Sequence, residues 1–120
     1  SMYKLFARYA SVGVINTAIH WIVFLILHWL GINQAMSNMF AFLVAVTFSF
    51  FANARFTFNG EVTSGRYMIY LAFMGAMAAS VGQMSDSLEL PSIVTLVTFS
   101  AVSLVMGFFY SKYVVFKERK

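Results

Sequence analysis

The chain has 120 residues, of which 61% are hydrophobic and only 10% charged, against roughly 45–50% and 25% in an ordinary soluble domain. Eight Lys or Arg and four Asp or Glu give a formal net charge of +4 and cannot clothe in water the large surface of so small a fold. A mean hydropathy of +0.80 excludes disorder and a soluble globular domain alike, and points to a bilayer as solvent.

A membrane-crossing helix takes about 20 mostly apolar residues. The first such run covers 9–30, with His20 and His28 as its only basic side chains. It exceeds the roughly 7–15-residue apolar core of a secretory signal and no A-x-A-like site follows it, so it is expected to stay on the chain. Gly31-Ile32-Asn33-Gln34 turns the chain, with Asn33 as the N-cap of a second run at 35–54. A longer connection from Arg55 to Arg66 holds the turn signal Asn59-Gly60. A third run covers 67–85. Asp86-Ser87-Leu88-Glu89-Leu90 then leads to Pro91, which suits the first turn of a fourth run at 91–111 because its missing N–H is harmless there. With a single proline in the chain, the helices are expected to run without sharp kinks. The fold expected is an all-α membrane protein, one domain over 1–120 with four transmembrane helices.

Charge sets the expected topology. Lys4, Arg8, Arg55, Arg66, Lys112, Lys117, Arg119 and Lys120 all lie in the N-terminal segment, the middle connection or the tail. The two short loops carry no Lys or Arg, only Asp86 and Glu89. The positive-inside rule then places both termini in the cytoplasm. In a bacterium this is a multi-pass protein of the inner membrane.

A shift of 58 positions lays Arg8-Tyr9 on Arg66-Tyr67, Val44 on Val102, Phe50-Phe51 on Phe108-Phe109, Asn53 on Ser111 and Phe58 on Phe116. This suggests a parallel repeat of two in–out–in hairpins, as in transporters whose sites sit at a repeat interface.

Residues four apart stack along a helix. Ala41, Ala45, Ser49 and Asn53, with Asn38 a turn earlier, form such a stripe. So do Ala72, Ala76 and Ser80, flanked by Gly75, Ala79 and Gln83, and so do Ser103, Gly107 and Ser111. Small faces of this kind pack helices in lipid. Asn16, Thr17, His20, Ser49, Asn53 and Gln83 are polar groups inside apolar runs. Either they hydrogen-bond between helices or they line a polar groove for a ligand headgroup. For His20 a proton relay is the further alternative. His28 and Trp29 read as an aromatic belt at the outer interface. Arg8, Arg55, Arg66 and Lys112 form an inner collar at the helix ends. It either anchors topology against anionic headgroups or captures a lipid phosphate, which guanidinium groups match in bidentate fashion.

Several chemistries lack their residues. There is no cysteine, and Glu61, Asp86, Glu89 and Glu118 all lie outside the apolar runs without forming a close carboxylate pair. Two histidines make a poor metal site, and no phosphate-binding glycine loop is present. The expectation is a protein that is not an enzyme, with no cofactor, metal or nucleic-acid partner. Proton-coupled export of a small cation would have only His20 to rely on.

The runs Lys4-Leu5-Phe6-Ala7-Arg8-Tyr9, Gly13, Asn16-Thr17 and His20-Trp21 resemble the start of a GtrA-type protein. So do 45–58, read as AVTFSFFANARFTF, then Arg66-Tyr67-Met68, and the ending Tyr110-Ser111-Lys112-Tyr113-Val114-Val115-Phe116. The resemblance covers nearly the whole chain, and within the GtrA-like family it is to the bactoprenol-linked glucose translocases of phage and prophage O-antigen glucosylation clusters. It implies flipping of undecaprenyl-phosphate-glucose from the cytoplasmic to the periplasmic leaflet. It also implies a membrane glucosyltransferase that makes the lipid inside and another that consumes it outside. On that footing Arg8 and Arg55, with Arg66 and Lys112 as their repeat equivalents, would hold the phosphate, and the polar groove would pass the sugar. A homo-oligomer, expected as a dimer, would complete the groove. The rival reading is a non-transporting scaffold or anchor for a polyprenol-phosphate glucosyltransferase.

Overall fold

The computed structural model describes residues 1–117, with side chains for all of them except 34, 35, 82, 85, 86, 92, 93, 95 and 96. Hydrocarbon offers no water to hydrogen-bond a bare peptide group, so an apolar segment must satisfy its own backbone. The described residues do so as helices, with no strand among them. In chain order these are α1 (Met2–Trp29), α2 (Gln34–Ala52), α3 (Ser64–Ser87) and α4 (Ser92–Tyr110). α2 runs on into a π-helical turn at Asn53–Thr57, and α4 into another at Ser111–Val115.

The helices overrun the expected runs at the ends where the cations lie. α1 begins before Lys4 and Arg8, and the two π turns enclose Arg55 and Lys112. A hydropathy reading stops at a charge, whereas a helical backbone does not, because long basic side chains can carry their charge out of an apolar layer. The connection read from Arg55 to Arg66 therefore shrinks to 58–63. Pro91 stands just before α4 rather than inside its first turn. The chain stays helical through both π turns, which occur without a proline.

Among the described residues, three segments are long and apolar enough to cross a membrane: Met2–Trp29, Met36–Thr57 and Val97–Val115. The run expected at 67–85 is not among them. α3 has 24 residues and so reaches about 36 Å, long enough to cross, but 82, 85 and 86 within it lie outside the residues whose side chains are described.

The chain divides into two compact units, Ser1–Glu61 and Val62–Lys120. In the first, α1 ends in a Schellman motif, with Gly31 at φ +96°, Ile32 N–H on Leu27 O at 3.1 Å and Gly31 N–H on His28 O at 3.1 Å. Asn33 caps α2 as expected, its Oδ1 accepting from Met36 N–H at 2.9 Å. The buried face of α2 is a ladder at four-residue spacing: Ser37, Ala41, Ala45, Ser49 and Asn53, ending at Thr57 in the π turn. Tyr9 and Val12 of α1 are buried with it. Asn38, read as part of this stripe, is exposed, and Ser37 takes its place.

In the second unit Thr63 Oγ1 accepts from Arg66 N–H at 3.1 Å and so caps α3. Its core holds Tyr70, Met77, Phe108, Val115 and Phe116, and the rings of Phe73 and Tyr110 stack at 3.9 Å. Gly107 and Ser111 are buried as their stripe predicts, with Ser103 half-buried. The stripe on α3 behaves otherwise: Ala72, Ala76, Ala79, Ser80 and Gln83 are exposed, and a Cβ at Gly75 would meet no atom within 4 Å. The tail residues Glu118, Arg119 and Lys120, and the side chain of Asp86, lie outside the described residues.

Candidate functional site

The clearest structural echo of the 58-residue shift is at the end of each hairpin that carries its basic residues. The π turns at Asn53–Thr57 and Ser111–Val115 stand 58 residues apart, and each closes with the same bond: Phe58 N–H on Asn53 O and Phe116 N–H on Ser111 O, both at 2.8 Å. Phe50 and Phe51 meet edge to face at 5.4 Å between centroids, and Phe108 and Phe109 do so at 5.3 Å. In the first unit Asn59 takes the left-handed φ of +52°, and Gly60 N–H reaches back to Ala54 O at 2.7 Å, which finishes the helix at the expected turn signal.

An arginine from the first helix of each hairpin clasps this end. Arg8 Nη1 donates to Phe56 O at 3.2 Å with its guanidinium carbon 5.2 Å from the Phe56 ring centre. Arg66 Nη2 donates to Lys117 O at 3.1 Å and lies 5.9 Å from the Phe116 ring. Carbonyls at a helix C-terminus lack intrahelical donors and carry a partial negative charge, so a cation is the partner they favour.

The four collar cations thus part company. Arg8 and Arg66 are register equivalents and are engaged in closing their own hairpins. Arg55 projects from the first π turn, exposed, with no partner among the described residues. Lys112 lies 5.0 Å from the Tyr113 ring. Nor is Lys112 the repeat equivalent of Arg55, as expected from sequence: the 58-residue register sets Lys112 on Ala54 and Tyr113 on Arg55.

The expected groove residues also divide. Ser49 Oγ donates to Asn16 Oδ1 at 2.7 Å, and His20 Nε2 pairs with Asn38 Oδ1 at 2.9 Å, so α1 and α2 share two polar contacts along their seam. Thr17 turns its hydroxyl onto its own helix, donating to Gly13 O at 3.0 Å, as Ser11 does to Ala7 O at 2.9 Å. Asn53 is 1% exposed, and its Oδ1 accepts from Thr57 Oγ1 at 2.8 Å, a bond internal to the π turn. Gln83 belongs to the second unit, where it lines an open cleft of about 470 Å³ with Ser80, Met84, Ser87 and Leu88. Asn38 and Thr57 were absent from the expected groove. The signal for Thr57 was in the sequence, four residues beyond Asn53 on the same ladder. Asn38 was read on the α2 stripe, but its pairing with His20 was not, since that partner lies on another helix.

This set of cations, amides and hydroxyls can bind an anion and a polyhydroxylated group. Among the described residues, no three of His, Asp or Glu gather where they could hold a metal ion.

Comparison with known proteins extends the resemblance. The family described as GtrA/DPMS, transmembrane domain, matches residues 8–116. A bactoprenol-linked glucose translocase of Shigella phage SfX is 58% identical over 120 residues, 99% of this chain and 100% of that protein. A prophage bactoprenol-linked glucose translocase homolog of Escherichia coli K12 is 55% identical over 120 residues, 99% of this chain and all of its own length. A bactoprenol-linked glucose translocase of Salmonella phage P22 is 53% identical over 118 residues, 98% of each chain. No solved structure matches the chain. With nearly every residue of the fold inside the matched range and its relatives alike from end to end, the chain belongs to the GtrA/DPMS transmembrane-domain family.

Proposed function

We propose that this protein translocates undecaprenyl-phosphate-linked glucose from the cytoplasmic to the periplasmic leaflet, supplying the donor for O-antigen glucosylation. The observation that carries the reading is end-to-end identity of 53–58% to relatives named as bactoprenol-linked glucose translocases. The chemistry agrees with it. A polyprenyl tail can stay in lipid while the phosphate-sugar head needs a cation and hydrogen-bonding groups to leave water. Arg55, exposed beside a clasped helix end, is the cation on which the phosphate is captured. Arg8, in the same unit, adds positive potential beside it and also closes the hairpin.

In this reading the protein lies in the bacterial inner membrane with both termini in the cytoplasm, on the strength of eight Lys or Arg against none in the two short loops. α3 crosses as the fourth span, its 24 residues being long enough for the hydrocarbon core. A second copy completes the enclosure, and a membrane glucosyltransferase delivers the substrate. The protein makes and breaks no covalent bond.

Purified protein in liposomes, with labelled undecaprenyl-phosphate-glucose on one side, tests this directly. Transbilayer movement of the label by the protein alone is the expected result. No movement, with glucosyltransferase recruitment intact, would favour the scaffold reading.

A further inference from the structure

The two hairpins share a register but not a chemistry along their seams. The pair Asn16–Ser49 of the first unit falls on Met74 and Gly107 of the second, and the pair His20–Asn38 falls on Ala78 and Leu96. Four polar positions in one hairpin are thus four apolar ones in the other.

We propose that the seam of the first hairpin is a hydrogen-bonding track for a hexose headgroup, formed by Asn16–Ser49 and His20–Asn38, and that the second hairpin takes no part in reading the sugar. This rests on the translocation reading for its substrate, and it names the part of the molecule that recognises it.

Both pairs have unused hydrogen-bonding capacity. Asn16 and Asn38 each engage the amide oxygen, and neither amide N–H2 has a partner among the described residues. An amide oxygen only accepts, so His20 Nε2 donates in the bond to Asn38, and Nδ1 is left without a described partner. Asn38 is exposed and Asn16 and His20 are half-buried, so these atoms lie on an open seam. Unpaired amides in hydrocarbon are costly, and structural helix pairing would be served by partners that satisfy one another fully. A sugar hydroxyl both donates and accepts, which is the complement these groups lack.

The track is also selective in kind. It holds amides, an imidazole and a hydroxyl, with no cation to bind phosphate. Asn16 and His20 are about 6 Å apart along α1, and Ser49 and Asn38 about 16 Å apart along α2, so the two pairs are strung along the seam and a hexose can pass from one to the next. Arg55 lies six residues beyond Ser49, about 9 Å nearer the clasped end, which assigns phosphate and sugar to different groups.

The second hairpin supplies the substitutions for a test, since it carries the apolar pairs at the same register. The variants are N16M with S49G, and H20A with N38L, in the full chain. The measurement is affinity in detergent for undecaprenyl-phosphate-glucose and for undecaprenyl phosphate. Wild type should prefer the glucose lipid by about tenfold, the worth of one or two net hydrogen bonds. Each double variant should lose most of that preference while binding undecaprenyl phosphate within about twofold of wild type. A wild type with no preference, variants that retain it, or affinities for both lipids that fall together would overturn the proposal. A protein that keeps the preference but moves no lipid in liposomes would overturn the translocation reading and uphold this one.

Discussion

Arg8 and Arg55 both sit at the clasped end of the first hairpin, but only Arg8 is bound to it. Replacing Arg8 with Gln removes a charge-assisted bond and a cation–ring contact at an exposed helix end. The expected loss is about 1 kcal/mol of stability, read as a lowered unfolding midpoint in detergent. Arg55→Gln touches no described contact, so unfolding and membrane insertion should be unchanged while transport in liposomes falls by about tenfold or more. Normal flipping by that variant would remove Arg55 from the scheme. Ser111 offers the opposite case. Its Oγ is fully buried with no hydrogen-bond partner among the described residues, where its register equivalent Asn53 has Thr57. Ser111→Ala removes a stranded hydroxyl and improves helix propensity, so the unfolding midpoint should rise, by an amount worth about 1 kcal/mol.

The helices differ in how they use small residues. On α2 the ladder is closed against its neighbours, with Ala41 and Ala45 at 0% and 1% exposure. Ala45→Leu would force three extra heavy atoms into a filled seam and should destabilise the first hairpin by about 1–3 kcal/mol. On α3 the same sequence pattern faces outward, and a Cβ at Gly75 meets open space. Gly75→Ala should therefore stabilise the helix by roughly 0.5–1 kcal/mol rather than disrupt packing, measured by the same unfolding assay. A small-residue stripe shows where close approach is allowed. Only the partner helix decides whether that approach is made.

For the whole molecule, sidedness is the property on which translocation depends. The chain has no cysteine, so single thiols introduced at exposed sites report compartment without background. Val62→Cys and Leu88→Cys flank α3, at 41% and 65% exposure. In intact spheroplasts a membrane-impermeant reagent should label Leu88→Cys and spare Val62→Cys until the membrane is opened. Labelling of both from outside would deny α3 its crossing.

Helix positions, the Asn33 cap, the Asn59-Gly60 turn and the 58-residue register were legible in the amino-acid sequence. The register is read by comparing two stretches of sequence, and the others depend on residues within a few positions of one another and on the need of a backbone in hydrocarbon to satisfy itself. The ladder from Ala41 to Asn53 was legible for the same reason. The tasks of the polar side chains were not. Arg8 meets a carbonyl 48 residues away, Ser49 meets Asn16 across 33, and His20 meets Asn38 across 18. Which collar cations close hairpins, and which amides keep N–H groups without a partner among the described residues, are settled by helix-to-helix contact. Periodicity places a side chain on a face of its own helix, and only tertiary packing brings another helix to meet it.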